Sequence, residues 1–154
     1  MKISKAVLSE STKLSQFIKM VFDSSVANFY SDQGNEEFYK YITPKAIEEQ
    51  LQKDHWILKA EIDKKLVGII EIRSNNHLSM LFVDPQHQKQ GIGRQLLVQA
   101  IKLIKQNNSS VKMIAVHSSP NSVTAYEALG FKSVSDEKEV NGIKFTTMEM
   151  KIPE

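Results

Sequence analysis

The residues best suited to chemistry in this chain are Gln88-x-x-Gly91-x-Gly93, which follow Leu81-Phe82-Val83-Asp84-Pro85. An alternating apolar run, Leu78, Met80 and Phe82 against Leu81 and Val83, stops at Asp84-Pro85. A polar turn from Gln86 to Gln90 leads into Gly91-Ile92-Gly93, and from Gly93 onward the apolar spacing becomes helical. Strand, glycine turn and helix together aim backbone N–H groups and a positive helix end at one point, an arrangement that holds phosphate. Two common phosphate loops do not fit. A dinucleotide fingerprint needs a third glycine where Leu96 stands, and a P-loop needs Lys-Ser/Thr where Arg94-Gln95 follow Gly93.

Composition narrows the partners. The 154 residues suit one domain, 1–154, with a sizeable core, and no apolar run approaches the length of a membrane span. The N-terminus MKISKAVLSES lacks a signal-peptide core, so a cytoplasmic location is expected. A net charge of +2, without a basic stripe, gives no reason to expect nucleic acid. The absence of cysteine excludes disulfides, thiolate metal sites and a cysteine nucleophile. His55, His77, His87 and His117 have no i, i+4 ligand spacing, so no bound metal is expected.

The elements that must position the glycine turn are legible in order. Residues 2–8 read as a strand. Ser9 or Ser11 caps a helix with the apolar face Leu14, Phe17, Ile18, Val21 and Phe22. Asp32-Gln33-Gly34-Asn35 reads as a turn, and Thr43-Pro44 opens another helix. The aromatics Phe29, Tyr30, Phe38, Tyr39 and Tyr41 and the acids Asp32, Glu36 and Glu37 have two readings. They line a pocket for a cationic substrate, or they are packing residues and a solvated face, which is the commoner case. Strands 55–62, 66–73 and 78–83 form an antiparallel meander. A helix from Gly93 to about Asn107, a buried strand 111–116 and a helix capped by Ser118 or Ser119 with Pro120 in its first turn come next, ending at Gly130. The tail folds into a hairpin at Asn141-Gly142. A right-handed crossover sets strand 111–116 parallel to 78–83. The fold class is α/β (α+β): one mixed, mostly antiparallel sheet flanked by helices.

Gln88-x-x-Gly91-x-Gly93, the preceding LFVDP and the later NSVTAYEALGF together resemble the GNAT superfamily of N-acetyltransferases. The likeness covers residues 66–131 well, and residues 1–52 fit only a loose pattern of a strand followed by two variable helices. It implies an acyltransferase with acetyl-CoA as co-substrate, the pyrophosphate lying on the backbone of Gln88, Lys89, Gln90, Gly91, Ile92, Gly93 and Arg94. It also implies a bulged strand splayed from its parallel neighbour, so that the pantetheine arm pairs with Leu81, Phe82 and Val83. Asn121 matches the asparagine that contacts that arm, and Tyr126 the tyrosine near the thioester sulfur, the acid for the departing thiolate. Arg94 and Lys89 add charge near phosphate or simply solvate a helix start.

Transfer to an amine also needs a base, because an alkyl ammonium has a pKa of about 10. His77 falls where some members carry a glutamate. Glu71, which interrupts the apolar run GIIEIR, is the second candidate, although pairing with Arg73 or a neighbouring strand also accounts for it. His117, near the cleft mouth, is third, and many members use no dedicated base. With no cysteine, direct transfer within a ternary complex is expected. The expected acceptor is a primary amine, that of a small molecule ahead of a protein lysine or N-terminus. The rival from another class is a non-catalytic acyl-CoA-binding module. The C-terminal hairpin offers an edge for a homodimer, and packing within the sheet explains its apolar positions equally well.

Overall fold

A computed structural model describes residues 1–153. Strand β1 (Lys2–Lys5) leads into α1 (Ser11–Ser25), α2 (Asp32–Tyr41) and α3 (Pro44–Leu51). The meander follows as β2 (His55–Ile62), β3 (Lys65–Arg73) and β4 (His77–Val83). Helix α4 (Ile92–Asn107), β5 (Met113–Ser118) and α5 (Val123–Leu129) come next, and β6 (Lys132–Ser133), β7 (Lys138–Val140) and β8 (Ile143–Lys151) close the chain. The strands are ordered β1-β2-β3-β4-β5-β8-β6, with β7 paired to β8. Only β4 and β5 run parallel, as the crossover rule requires.

Helices cover both faces of the sheet. Leu96, Leu97, Ala100 and Ile104 of α4 pack on Ile70, Ile72 and Leu78 together with Tyr126 and Phe131. On the other face Leu14, Phe17, Ile18 and Val21 of α1 and Ile47 of α3 meet Ile57, Ile69 and Met80. Each of the buried Leu, Ile, Val, Phe and Met side chains contributes about 1.5–3 kcal/mol by leaving water, which fixes both helix layers against the sheet. Gly68 sets how closely α4 sits: a Cβ there would lie 3.1 Å from both Ile92 Cγ2 and Leu96 Cδ1. The start of α4 is thereby pressed onto β3.

Three local expectations change. Asp32-Gln33-Gly34-Asn35 is the first turn of α2 rather than a separate turn, because the Ser31 hydroxyl accepts the Gly34 N–H at 3.1 Å and caps the helix. Gly34 is there for space: a Cβ would sit 2.2 Å from the Gly142 carbonyl oxygen, where the β7–β8 turn abuts α2. The parallel strand runs two residues later than periodicity suggests, 113–118 instead of 111–116. Ser119 precedes a short 3-10 turn, Pro120–Ser122, so Asn121 lies ahead of α5 and not on it. Gly130 ends α5 at φ +111° and Asn141-Gly142 turns the hairpin at φ +53° and +80°, both as expected.

Candidate active site

The site begins with an irregularity in β4. Against β3, Glu71 pairs with Met80 and Ile72 with Leu78, so Ser79 is an extra residue, a β-bulge. The bulge bends β4 away from β5, and their parallel ladder is only two pairs long, His77 with Ala115 and Leu78 with Val116. Beyond Leu78 the β4 edge is open. The Asp84 N–H bonds back to Val67 at 2.8 Å, so strand alternation turns the Val83 N–H and C=O outward toward the gap. The Gln88 amide donates to that Val83 carbonyl at 3.0 Å.

The glycine loop closes the same gap from below. Asp84 caps a short turn by accepting the Gln86 N–H at 2.9 Å. Lys89 and Gly91 then adopt φ +63° and +84°. A left-handed residue beside an ordinary turn residue aims successive backbone N–H groups toward one side, the geometry of an anion nest. The first bond of α4 runs from Gln95 N–H to Gly91 C=O, leaving the N–H groups of Ile92, Gly93 and Arg94 as unpaired donors at the positive end. The two glycines are required differently. Nothing lies within 4 Å of a Cβ at Gly91, where the positive φ is the constraint, whereas a Cβ at Gly93 meets only ordinary contacts at 3.9 and 4.0 Å. These free donors and the open strand edge fit an extended ligand carrying a phosphate group.

A cleft of about 600 Å³ follows the gap, lined by Leu81, Phe82 and Val83, by Gln88, Lys89, Gly91, Ile92, Gly93 and Arg94, and by Asn121 and Tyr126. Of the expected cofactor residues only Gln90 is outside this lining. A hollow of similar size at the other end of α4 contains none of the motif residues. Tyr126 is buried, packs edge-on against Phe131 at 5.4 Å, and burial, reinforced by nearby Tyr30, pushes its phenol far up. It holds its proton at any neutral pH. Arg94 donates to the Ala128 carbonyl at 2.9 Å and ties α4 to α5. Asn121 donates to the Ser25 carbonyl at 2.8 Å, bridging the cleft mouth to the end of α1.

The candidate bases stand differently. Glu71 is fully buried, and instead of pairing with Arg73 or a neighbouring strand it accepts a hydrogen bond from Tyr41 Oη at 2.9 Å. Burial raises its carboxyl to about 7, against the lowering effect of Tyr41 and Arg73. It shares its face with Ile69 but not with Val67, since β3 shifts register against β2 near Ala60. His77 lies beside His117, ring centroids 4.9 Å apart, and burial with the Arg73 charge holds it down at about 4. It does not reach the cleft, whereas exposed His117 lines it and stacks on Phe145 at 4.5 Å.

Sequence reasoning gave the Ser79 hydroxyl no role and took Tyr41 only as an aromatic that lines a pocket or packs. Ser79 lines the cleft and Tyr41 binds Glu71. A serine inside an apolar strand was the available signal. The acids of α2 do not contribute: Asp32 and Glu36 are exposed, Glu37 pairs with Lys40 at 3.5 Å, and none lines the cleft. Tyr30 and Phe38 do line it. Among the described residues no group of three or more His, Asp or Glu is placed to hold a metal ion, and no helix is long and apolar enough to cross a membrane.

Comparison with known proteins agrees with this geometry. The acetyltransferase (GNAT) domain family profile matches residues 26–152. A UPF0039 protein of Schizosaccharomyces pombe is 31% identical over 113 residues, 71% of this chain and 75% of that protein. A GCN5-related N-acetyltransferase structure from Rhodopseudomonas palustris superposes with a TM-score of 0.83 at 18% identity, over 97% of this chain and 94% of that one. The PaiA N-acetyltransferase of Thermoplasma acidophilum, solved in complex with coenzyme A, gives 0.79 at 23%, over 97% and 98%. A bulged and splayed strand, a glycine nest under its open edge and a family profile spanning both have one explanation: the chain belongs to the acetyltransferase (GNAT) domain family.

Proposed function

We propose that the protein transfers an acetyl group directly from acetyl-CoA to a primary amine. The observation that carries this reading is the open β4 edge at Leu81–Val83, standing directly over the unpaired N–H groups of the glycine loop. Acetyl-CoA lies along both. Its pyrophosphate accepts from the loop N–H groups between Gln88 and Arg94, and its pantetheine amides pair with the β4 edge, the Gln88 amide leaving the Val83 carbonyl to make room. Asn121 keeps its side-chain carbonyl free for the same arm while its NH₂ holds Ser25.

The outward Val83 N–H then polarises the thioester carbonyl and stabilises the oxyanion of the tetrahedral intermediate. Tyr126 hydrogen-bonds the departing sulfur. A thiol ionises near pH 8.5, below a phenol raised by burial, so Tyr126 acts mainly by donating to the developing thiolate and less by giving up its proton outright. Of the first two base candidates, Glu71 is better tuned than His77. A carboxyl at about 7 is half ionised where the enzyme works, whereas an imidazole at about 4 is already neutral but too weakly basic to pull a proton from an ammonium. The acceptor enters from the side of Tyr30, Phe38 and His117. Its class stays a primary amine, and with the α2 acids outside the cleft no acidic pocket selects a small cation.

Thiol release from acetyl-CoA across a panel of primary amines tests the reading, with Tyr126→Phe assayed beside the wild type. Turnover on at least one amine, reduced in the variant, is the expected result. Tight CoA binding with no turnover on any amine would identify a non-catalytic acyl-CoA-binding module instead.

A further inference from the structure

Glu71 is better tuned than His77 to take a proton, yet it does not line the cleft. A buried carboxyl that never meets the substrate needs a path, and two hydroxyls are placed to provide it. Tyr41 Oη donates to Glu71 Oε1 at 2.9 Å, and Glu71 Oε2 is left without a partner. The Ser79 hydroxyl stands near the Tyr41 phenol and opposes the upward shift that burial imposes there, without a hydrogen bond formed between the two. Ser79 Oγ is itself buried with no settled hydrogen bond, and Ser79 lines the cleft at the point where β4 parts from β5. An unsatisfied buried hydroxyl is unfavourable, so a group that is kept in that state at a strand bulge calls for a partner that comes and goes.

We propose that Ser79 and Tyr41 relay the acceptor amine's proton from the cleft to Glu71, an inference that rests on the acetyltransferase reading above. The Tyr41–Glu71 hydrogen bond already points the right way, and the unpaired Ser79 hydroxyl is free to turn toward either neighbour. The ammonium N–H gives its proton to Ser79 Oγ, Ser79 gives its own to Tyr41 Oη, and Tyr41 gives its own to Glu71 Oε1 in one concerted shift. The balance is R–NH₃⁺ plus Glu71 carboxylate to R–NH₂ plus Glu71 carboxylic acid, with both hydroxyls restored. The freed nitrogen lone pair then forms the bond to the acetyl carbon as the carbon–sulfur bond breaks, and the nitrogen's second proton ends on the CoA thiol. Glu71 returns its proton to solvent through the same hydroxyls once the amide leaves. The other charges acting on Glu71 are Arg73 on its own strand and Asp54 at the head of β2, with opposite effects. Ser79 is the member that touches substrate, and Tyr41 and Glu71 are positioning residues acting through it.

The test is the pH dependence of kcat/KM for a primary amine in Ser79→Ala, Tyr41→Phe and Glu71→Gln. Thermal melting and CoA affinity, both expected near wild type, verify folding. Each variant is expected to lose about 100-fold near pH 7 and to regain rate roughly tenfold per pH unit toward the pKa of the amine, where free amine no longer needs a base. Ser79→Thr, which keeps the hydroxyl, is expected to recover most of the loss. Wild-type rates at pH 7 in Ser79→Ala and Tyr41→Phe overturn the relay, and so does an equal loss at every pH. A second readout needs no turnover: the Glu71 side-chain carboxyl followed by carbon NMR. A midpoint well above the usual glutamate range that moves in Tyr41→Phe and Ser79→Ala supports the relay. An ordinary glutamate midpoint overturns it. A wild type that turns over no amine defeats the acetyltransferase reading, and the carbon titration still decides whether the three groups are coupled.

Discussion

The two halves of the cleft are built from different materials. The donor half, from Leu81 to Arg94 with α5 behind it, is made chiefly of backbone: an open strand edge, a left-handed loop and a helix start, all within one continuous run of sequence. The acceptor half is made of side chains drawn from distant segments. Tyr30 and Phe38 come from the α1–α2 region, Ser79 from the β4 bulge, and His117 is stacked by Phe145 from the last strand. Backbone recognition depends on conformation and tolerates changes of side chain, so it suits an invariant cofactor. Side-chain recognition can be rebuilt residue by residue, so it suits the half that must choose an acceptor. One half therefore has a sequence signature and the other does not.

Substitutions that damage one half and spare the other test this division. The largest effect is expected at the junction, where Tyr126→Phe removes the proposed donor to the sulfur but keeps the ring packed on Phe131. We expect kcat to fall about 100-fold with little change in melting temperature or in CoA affinity. A comparable loss of CoA affinity would reassign Tyr126 to binding.

Gly34→Ala attacks the acceptor half alone. Its new Cβ meets the Gly142 carbonyl at 2.2 Å, so α2 and the β7–β8 hairpin must separate. Overpacking of this kind is worth about 1–3 kcal/mol, or a drop in melting temperature of roughly 2–4 °C for each of them. The KM for the amine should rise while calorimetry finds unchanged CoA affinity. If CoA affinity falls in parallel, the halves are mechanically one unit.

Gly91→Ala attacks the donor half alone. Holding alanine at φ +84° costs about 1–2 kcal/mol, which a loop that relaxes when free takes out of CoA binding, roughly tenfold in Kd. Gly93→Ala, with room for its methyl, should change affinity far less. Equal losses at the two positions would mean that close approach of the phosphates, and not the left-handed turn, decides both.

The smallest effect is in stability, and its sign follows from the direction of two shifts. The folded protein keeps His77 neutral down to about 4 while the unfolded chain protonates it near 6.5, so His77 removes stability as pH falls through that window. Glu71 works in the opposite sense. Its raised carboxyl contributes stability below the ordinary value of 4.5, and this is lost as pH rises through about 7. Urea midpoints between pH 4.5 and 7.5 should therefore flatten on the acid side in His77→Gln and on the neutral side in Glu71→Gln.

What the sequence determined by itself was nearly everything carried by local periodicity and turn chemistry. The meander, the helix from Ile92, the Gly130 stop, the Asn141-Gly142 hairpin and the residues of the glycine loop all follow from spacing and from which residues tolerate positive φ. Even the parallel pairing of β4 with β5 follows, because the intervening helix carries the chain back to the end of the sheet where β4 began. Tertiary structure decided the rest. Whether Asp32-Gln33-Gly34-Asn35 turned or coiled depended on a cap from Ser31 and a glycine facing Gly142, 108 residues further along. That Glu71 meets Tyr41 from another element, and that a one-residue bulge brings Ser79 to the cleft, no local pattern could give. A buried carboxyl takes its acidity from whatever surrounds it, and no stretch of sequence contains its own surroundings.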